Sequence, residues 1–159
     1  MLKVLGRATS TNVQKVLWYC DSQNRVYEHD NDIGGAFGRN DSPEYLAMNP
    51  NGRVPVVIDG DFVMWESNSI IRYLARQSKS DLYPSDFMAR QTVERWMDWE
   101  LSLLAPRHVP VFIGLVRTKP EDRNQDVIDG ARVQWNAAMQ VLEDQLAEMR
   151  RTQADLQET

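Results

Sequence analysis

Three short stretches of this chain place polar donors and charges where they can act on a ligand. Ser10-Thr11-Asn12 stands directly before Val13, Val16, Leu17 and Cys20, which recur at helical spacing. Hydroxyls and amides at such a helix start either cap its free N–H groups or donate to a bound anion. Glu66-Ser67 precedes a second helical run, Ile70, Ile71 and Leu74. There the positive end of the helix dipole and the Ser67 hydroxyl suit a carboxylate, while Glu66 offers an acceptor to an ammonium group. Ordinary capping and dipole compensation is the alternative at that pair. Arg53 is either a cation for a ligand carboxylate or an exposed turn arginine. Val54-Pro55 beside it reads as a proline at the start of a strand.

The elements that must position these groups are legible in the hydrophobic pattern. Leu2-Lys3-Val4-Leu5, ending at Gly6, reads as a short buried strand, and residues 12–23 as an amphipathic helix. Residues 25–29 alternate and form a second strand, parallel to the first because a helix intervenes. Gly34-Gly35-Ala36-Phe37-Gly38 reads as an irregular loop, with a helical turn around residues 44–48. Asn49-Pro50-Asn51-Gly52 is a turn, and residues 54–58 a strand joined by an Asp59-Gly60 hairpin to residues 62–65. A helix over 67–77 completes a βαβ-ββα order with a mixed sheet, the order of a thioredoxin-like fold. A polar linker at 79–86 separates this domain, residues 1–78, from a helical remainder at 87–159. That remainder holds two amphipathic runs, the first disturbed by Pro106 and Pro110. Trp96, Trp99, Phe112 and Trp135 are read there as core or as one wall of an apolar pocket.

Composition narrows the function classes. A net charge of −5 with interleaved signs provides no basic field for a phosphate backbone, so no nucleic-acid partner is expected. No apolar stretch approaches the roughly 20 residues that cross a bilayer, and the first residues lack a signal-peptide core, so a cytoplasmic protein with no membrane partner is expected. The single Cys20 excludes an internal disulfide, and two histidines and one cysteine provide no metal-ligand spacing, so no metal is assigned.

Residues 49–57, the Asp59-Gly60 hairpin and Trp65-Glu66-Ser67-Asn68-Ser69-Ile70-Ile71-Arg72-Tyr73-Leu74 closely resemble the glutathione-site signature of cytosolic glutathione transferases. Ser10-Thr11-Asn12-Val13-Gln14-Lys15-Val16 is similar to the Ser-x-Asn-x-x-Lys pattern of bacterial and theta-like members. The resemblance spans residues 1 to about 77 and continues more loosely to about residue 150. It implies a thioredoxin-like domain followed by an all-α domain, with glutathione as co-substrate and a homodimer.

The resemblance also implies roles. Val54-Pro55 would be cis, so that the Val54 backbone pairs with the cysteinyl unit of glutathione as with an extended peptide. Glu66 and Ser67 would hold the γ-glutamyl end, and Arg53 the glycyl carboxylate. Ser10 and Asn12 would be the catalytic donors that favour the thiolate, the form that attacks, with Thr11 as substitute for Ser10. Cys20 lies too far along its helix for a cysteine mechanism and reads as core. The expected activity is conjugation of glutathione to small apolar electrophiles, a detoxification chemistry. A glutathione-dependent disulfide reductase or peroxidase, or a non-catalytic transferase-like interaction protein, is the alternative. Family members usually continue for several helices beyond residue 159, so the all-α domain reads as incomplete.

Overall fold

The computed structural model describes the backbone of residues 1–157 and the side chains of residues 1–155; the final two residues of the expected helical domain lie outside the described residues. The chain divides into two compact units, Met1–Arg90 and Gln91–Thr159.

In the first unit, the apolar run Leu2–Leu5 (β1) takes a central place in a four-stranded sheet and is buried along most of its length. Helix Thr11–Ser22 (α1) carries the chain back so that Tyr27–Asp30 (β2) pairs with β1 in parallel. After the short helix Pro43–Met48 (α2), strand Val56–Asp59 (β3) pairs antiparallel with β1, and Phe62–Trp65 (β4) pairs antiparallel with β3. The order is β2-β1-β3-β4, and helix Ser67–Ser78 (α3) follows. This is the expected mixed sheet of a βαβ-ββα domain.

Alternation along the strands divides the core into two layers. Leu5 and Val56 face a cluster with Ile33 and Tyr45, onto which Met48, Val54 and Ile58 pack. Val4 and Val57, adjacent in the ladder and almost fully buried, point to the opposite face. Val13, Val16, Ile70 and Leu74 of the paired helices α1 and α3 are buried with them. Asp59 ties the sheet to its surroundings, its Oδ2 accepting from Arg25 Nη2 (3.3 Å), Tyr73 Oη (2.9 Å) and Gln77 Nε2 (3.1 Å).

Two strands start later than the hydrophobic pattern predicts. β3 begins at Val56 rather than Val54 because Pro55 has no N–H to give to the ladder. β2 begins at Tyr27 rather than Arg25, since the Arg25 N–H closes the end of α1 on the Cys20 carbonyl at 2.9 Å.

Pro106 and Pro110 do not break the helix in which they stand. Phe87–Trp99 (α4), Glu100–Leu104, Ala105–Phe112 (α5) and Ile113–Arg117 follow one another with helical dihedrals at every junction. The segments 100–104 and 113–117 are wide π-type turns. In them the Ala105 N–H reaches the Glu100 carbonyl and the Thr118 N–H the Ile113 carbonyl, five residues back, so the backbone stays paired on either side of the proline-bearing α5 and the rod widens instead of ending. Helix Gln125–Gln157 (α6) follows and packs on α5. Within this second unit Trp96 meets Trp99 edge-on at 5.1 Å, and Trp135 lies 6.2 Å from the His108 ring. Among the described residues no helix is long and apolar enough to cross a membrane.

Candidate functional site

The loop from β1 to α1 is held from both sides. Arg7 N–H donates to the Ile33 carbonyl and Ala8 N–H to Asn31 Oδ1, at 2.9 and 2.7 Å. Gly6, at φ +139°, lets this loop approach Val54: a Cβ there would sit 2.8 Å from the valine side chain. The loop therefore delivers Ser10 to the start of α1 beside Val54. Ser10 has the extended dihedrals of an N-cap residue, yet its side chain makes no cap hydrogen bond. Its hydroxyl is half-buried and lines a cavity instead.

The turn before β3 is braced by its own side chains. Asn49, almost fully buried, accepts from Asn51 N–H at 3.1 Å and donates through Nδ2 to the Arg53 carbonyl at 2.8 Å. Tyr45 Oη donates to that same carbonyl at 2.8 Å. With its carbonyl fixed twice, Arg53 leads into a cis Val54–Pro55 peptide. The Val54 N–H and C=O lie outside the ladder, which starts at Val56, and among the described residues no loop hydrogen bond uses them. An extended peptide laid along this edge would find one free donor and one free acceptor.

Between β4 and α3 the chain turns on a single residue. Glu66 has φ +73° and ψ 106°, a left-handed-side conformation that costs a non-glycine residue about 1–3 kcal/mol. The turn places the start of α3 against the cavity, and no side chain caps it. Ser67 is buried and donates to Asn12 Oδ1 at 3.4 Å, which joins the starts of the two helices.

These pieces enclose a cavity of about 400 Å³ lined by Arg7, Ser10, Asn12, Asn49, Arg53, Val54, Pro55, Glu66 and Ser67. Ser10, Asn12, Arg53, Val54, Glu66 and Ser67, drawn from three separate stretches of sequence, thus stand around one space. Thr11 is exposed and not among the lining residues. The charges in the lining are two cations, Arg7 and Arg53, and one carboxylate, Glu66. Among the described residues none of the three is engaged in an ion pair. A polar, partly open space with uncommitted charges of both signs suits a small zwitterionic ligand with an excess of negative charge.

Arg7 was not singled out from the sequence. Its Nη1 donates to Thr9 Oγ1 at 2.7 Å, while its Nε is buried without a partner. The signal for it lay in the glycine run: a Cβ on Gly35 would sit 2.5 Å from that Nε, so the loop at 34–38 closes directly over the guanidinium. Cys20 lies fully buried in the core, and burial pushes its thiol up to about 11, against the pull of Arg25. It stays protonated at neutral pH and does not line the cavity. Among the described residues no group of three His, Cys, Asp or Glu side chains could hold a metal ion.

Residues 1–76 match the family model of the glutathione S-transferase N-terminal domain. The chain is 40% identical over 153 residues to glutathione S-transferase GstB of Escherichia coli, covering 94% of this chain and 73% of that protein. It is 30% identical to glutathione S-transferase 4 of Zea mays, over 92% of this chain and 66% of that one. Among solved structures, the theta class glutathione S-transferase of Xanthomonas axonopodis pv. citri with glutathione bound superposes with a TM-score of 0.87. That match has 41% identity and covers 92% of this chain and 70% of the other.

Proposed function

This chain belongs to the glutathione S-transferase family, and from that premise we propose that its cavity holds glutathione and activates the thiol for transfer to a small apolar electrophile. The observation that carries the proposal is the meeting of an uncapped Ser10, the unpaired Val54 backbone edge and the uncapped start of α3 around one space. In the bacterial theta class relative, glutathione is bound.

The ligand's groups pair with the lining one by one. The γ-glutamyl carboxylate takes the start of α3 with Ser67, and its ammonium takes Glu66. The cysteinyl unit lies extended along Val54. The glycyl carboxylate takes Arg53. Ser10 and Asn12 then flank the sulfur, and a hydroxyl donor favours the thiolate over the thiol. In the reaction the thiol proton leaves to solvent, the sulfur forms a bond to the electrophilic carbon, and the leaving group departs with its electron pair.

Transfer is favoured over cysteine-based disulfide reduction because Cys20, the one cysteine of the chain, is sealed in the core. We further propose a cytoplasmic homodimer; exposed apolar side chains along α6, such as Val133, Val141 and Met149, offer area for self-association.

Calorimetric titration with glutathione, followed by rates with an aryl halide, tests the assignment. Binding with saturable conjugation is expected in the unaltered protein, and the double variant Glu66→Ala, Ser67→Ala should lose at least tenfold in affinity. A protein that neither binds glutathione nor conjugates any halide, epoxide or enone would contradict the assignment.

A further inference from the structure

The lining holds one more cation than the peptide backbone of the proposed ligand requires. Glutathione presents two carboxylates and one ammonium, and the start of α3, Arg53 and Glu66 already answer them. Arg7 is left over. It stands three residues before Ser10, in the same loop, and its backbone carbonyl accepts the Ser10 N–H at 3.0 Å. The group that remains on the ligand is the sulfur, which is neutral before ionisation and negative after it.

Arg7 is also held in a way that an ordinary surface arginine is not. Its Nε is a buried donor with no partner, a state that costs about 1–3 kcal/mol and needs a reason to persist. The Gly35 backbone presses on the guanidinium, and Thr9 Oγ1 takes Nη1 at 2.7 Å. No carboxylate among the described residues neutralises it. Its charge is therefore held in place in the lining of the cavity and is not spent on an ion pair. An opposite charge within a few ångströms lowers the pKa of an ionising group by about 1–3 units.

We propose that Arg7 is a catalytic residue of the transfer reaction, the cation that faces the glutathione sulfur and, with Ser10, holds it as thiolate. This rests on the glutathione assignment above. The other charged groups at the cavity are Arg53 and Glu66, assigned to the two ends of the peptide. From β2, His29 is tied through Nε2 to the Gly6 carbonyl at 2.7 Å and Asp30 to Arg39 at 3.3 Å. Arg7 is thus the group whose removal should move the titration of the bound thiol.

The test is the ultraviolet absorption of the glutathione thiolate bound to the full chain, followed against pH, with Arg7→Ala, Arg7→Gln and Arg7→Lys beside the unaltered protein. Arg7→Gln retains a donor for Thr9 without the charge, and serves where Arg7→Ala does not fold. The neutral variants should raise the pKa of the bound thiol by about one unit or more. Turnover should fall about tenfold at neutral pH and converge with the unaltered protein at alkaline pH, while Arg7→Lys restores most of the shift. Affinity for S-methylglutathione, which keeps the peptide and removes the titrating proton, should stay within about threefold. An unchanged thiol titration in folded Arg7→Gln overturns the proposal, as does a large loss of S-methylglutathione affinity without a shift, which would assign Arg7 to a carboxylate. Failure of the unaltered protein to bind S-methylglutathione overturns the glutathione assignment itself, and Arg7 falls with it.

Discussion

The starts of α2, α4 and α6 meet their free N–H groups differently from the starts of α1 and α3. Ser42 Oγ accepts from Tyr45 N–H at 3.2 Å, Asp86 Oδ1 from Ala89 N–H at 2.8 Å, and Asn124 Oδ1 from Val127 N–H at 3.2 Å. Neither α1 nor α3 has a side-chain cap, although Ser10 occupies the cap position of α1. These two starts are the ones that face the cavity. The same residue type, serine, thus closes one helix and leaves another open. A cap offsets the partial positive charge that an anion would otherwise find, so an open start leaves that charge available and forgoes about 1 kcal/mol of local stability.

The largest effect that tests this contrast is Ser10→Ala. With the hydroxyl uncommitted to the helix, conjugation should fall about a hundredfold in kcat. Unfolding free energy should move by no more than about 0.5 kcal/mol. Steady-state kinetics beside urea denaturation reads both, and a stability loss of the size typical for caps would show that Ser10 caps α1 after all.

The other end of α1 sharpens the contrast, because there the chemistry is sealed. The Cys20 thiol, held at about 11 by burial, ionises near 9 once the chain unfolds. The folded state therefore keeps a proton that the unfolded state loses, and stability present below pH 9 drains away as pH rises towards 11. At one pKa unit per 1.36 kcal/mol the loss approaches about 2–3 kcal/mol. Denaturation across this range should show a flatter decline in Cys20→Ala than in the unaltered protein. Parallel declines would mean that Cys20 is not the group responsible.

The smallest effects belong to the closed starts. Ser42→Ala and Asn124→Ala should each cost about 1 kcal/mol in thermal or urea unfolding while glutathione affinity stays constant. A change in affinity with Ser42→Ala would erase the division between capping and binding serines.

Much of the first unit was legible because its elements are short and locally punctuated. The Asp59-Gly60 hairpin, the turn at 49–52 and the apolar runs at 2–5 and 56–58 each fixed one step of the βαβ-ββα order. The six candidate site residues were legible for the same reason, since each stands at an element boundary. What escaped depends on distant packing. Arg7 owes its pose to Gly35, twenty-eight positions away in sequence, and nothing in its neighbours announces an orphaned Nε. Whether Ser10 caps or opens a helix is likewise decided by the space in front of it. The prolines announced a disturbance of the helix without its place or kind: it takes the form of wide turns before Pro106 and after Pro110.

Those wide turns have a further meaning for the second unit. Each π-type turn takes up one residue more than an α-helical turn does, so the side chains that follow are rotated by about 100° around the axis. In an uninterrupted α-helix His108 and Val111 would stand about 120° around the axis from Trp96 and Trp99, whereas the wide turn at 100–104 brings the two pairs onto one side of the rod. The turn in this way keeps one face continuous from α4 into α5, the segment that carries both prolines.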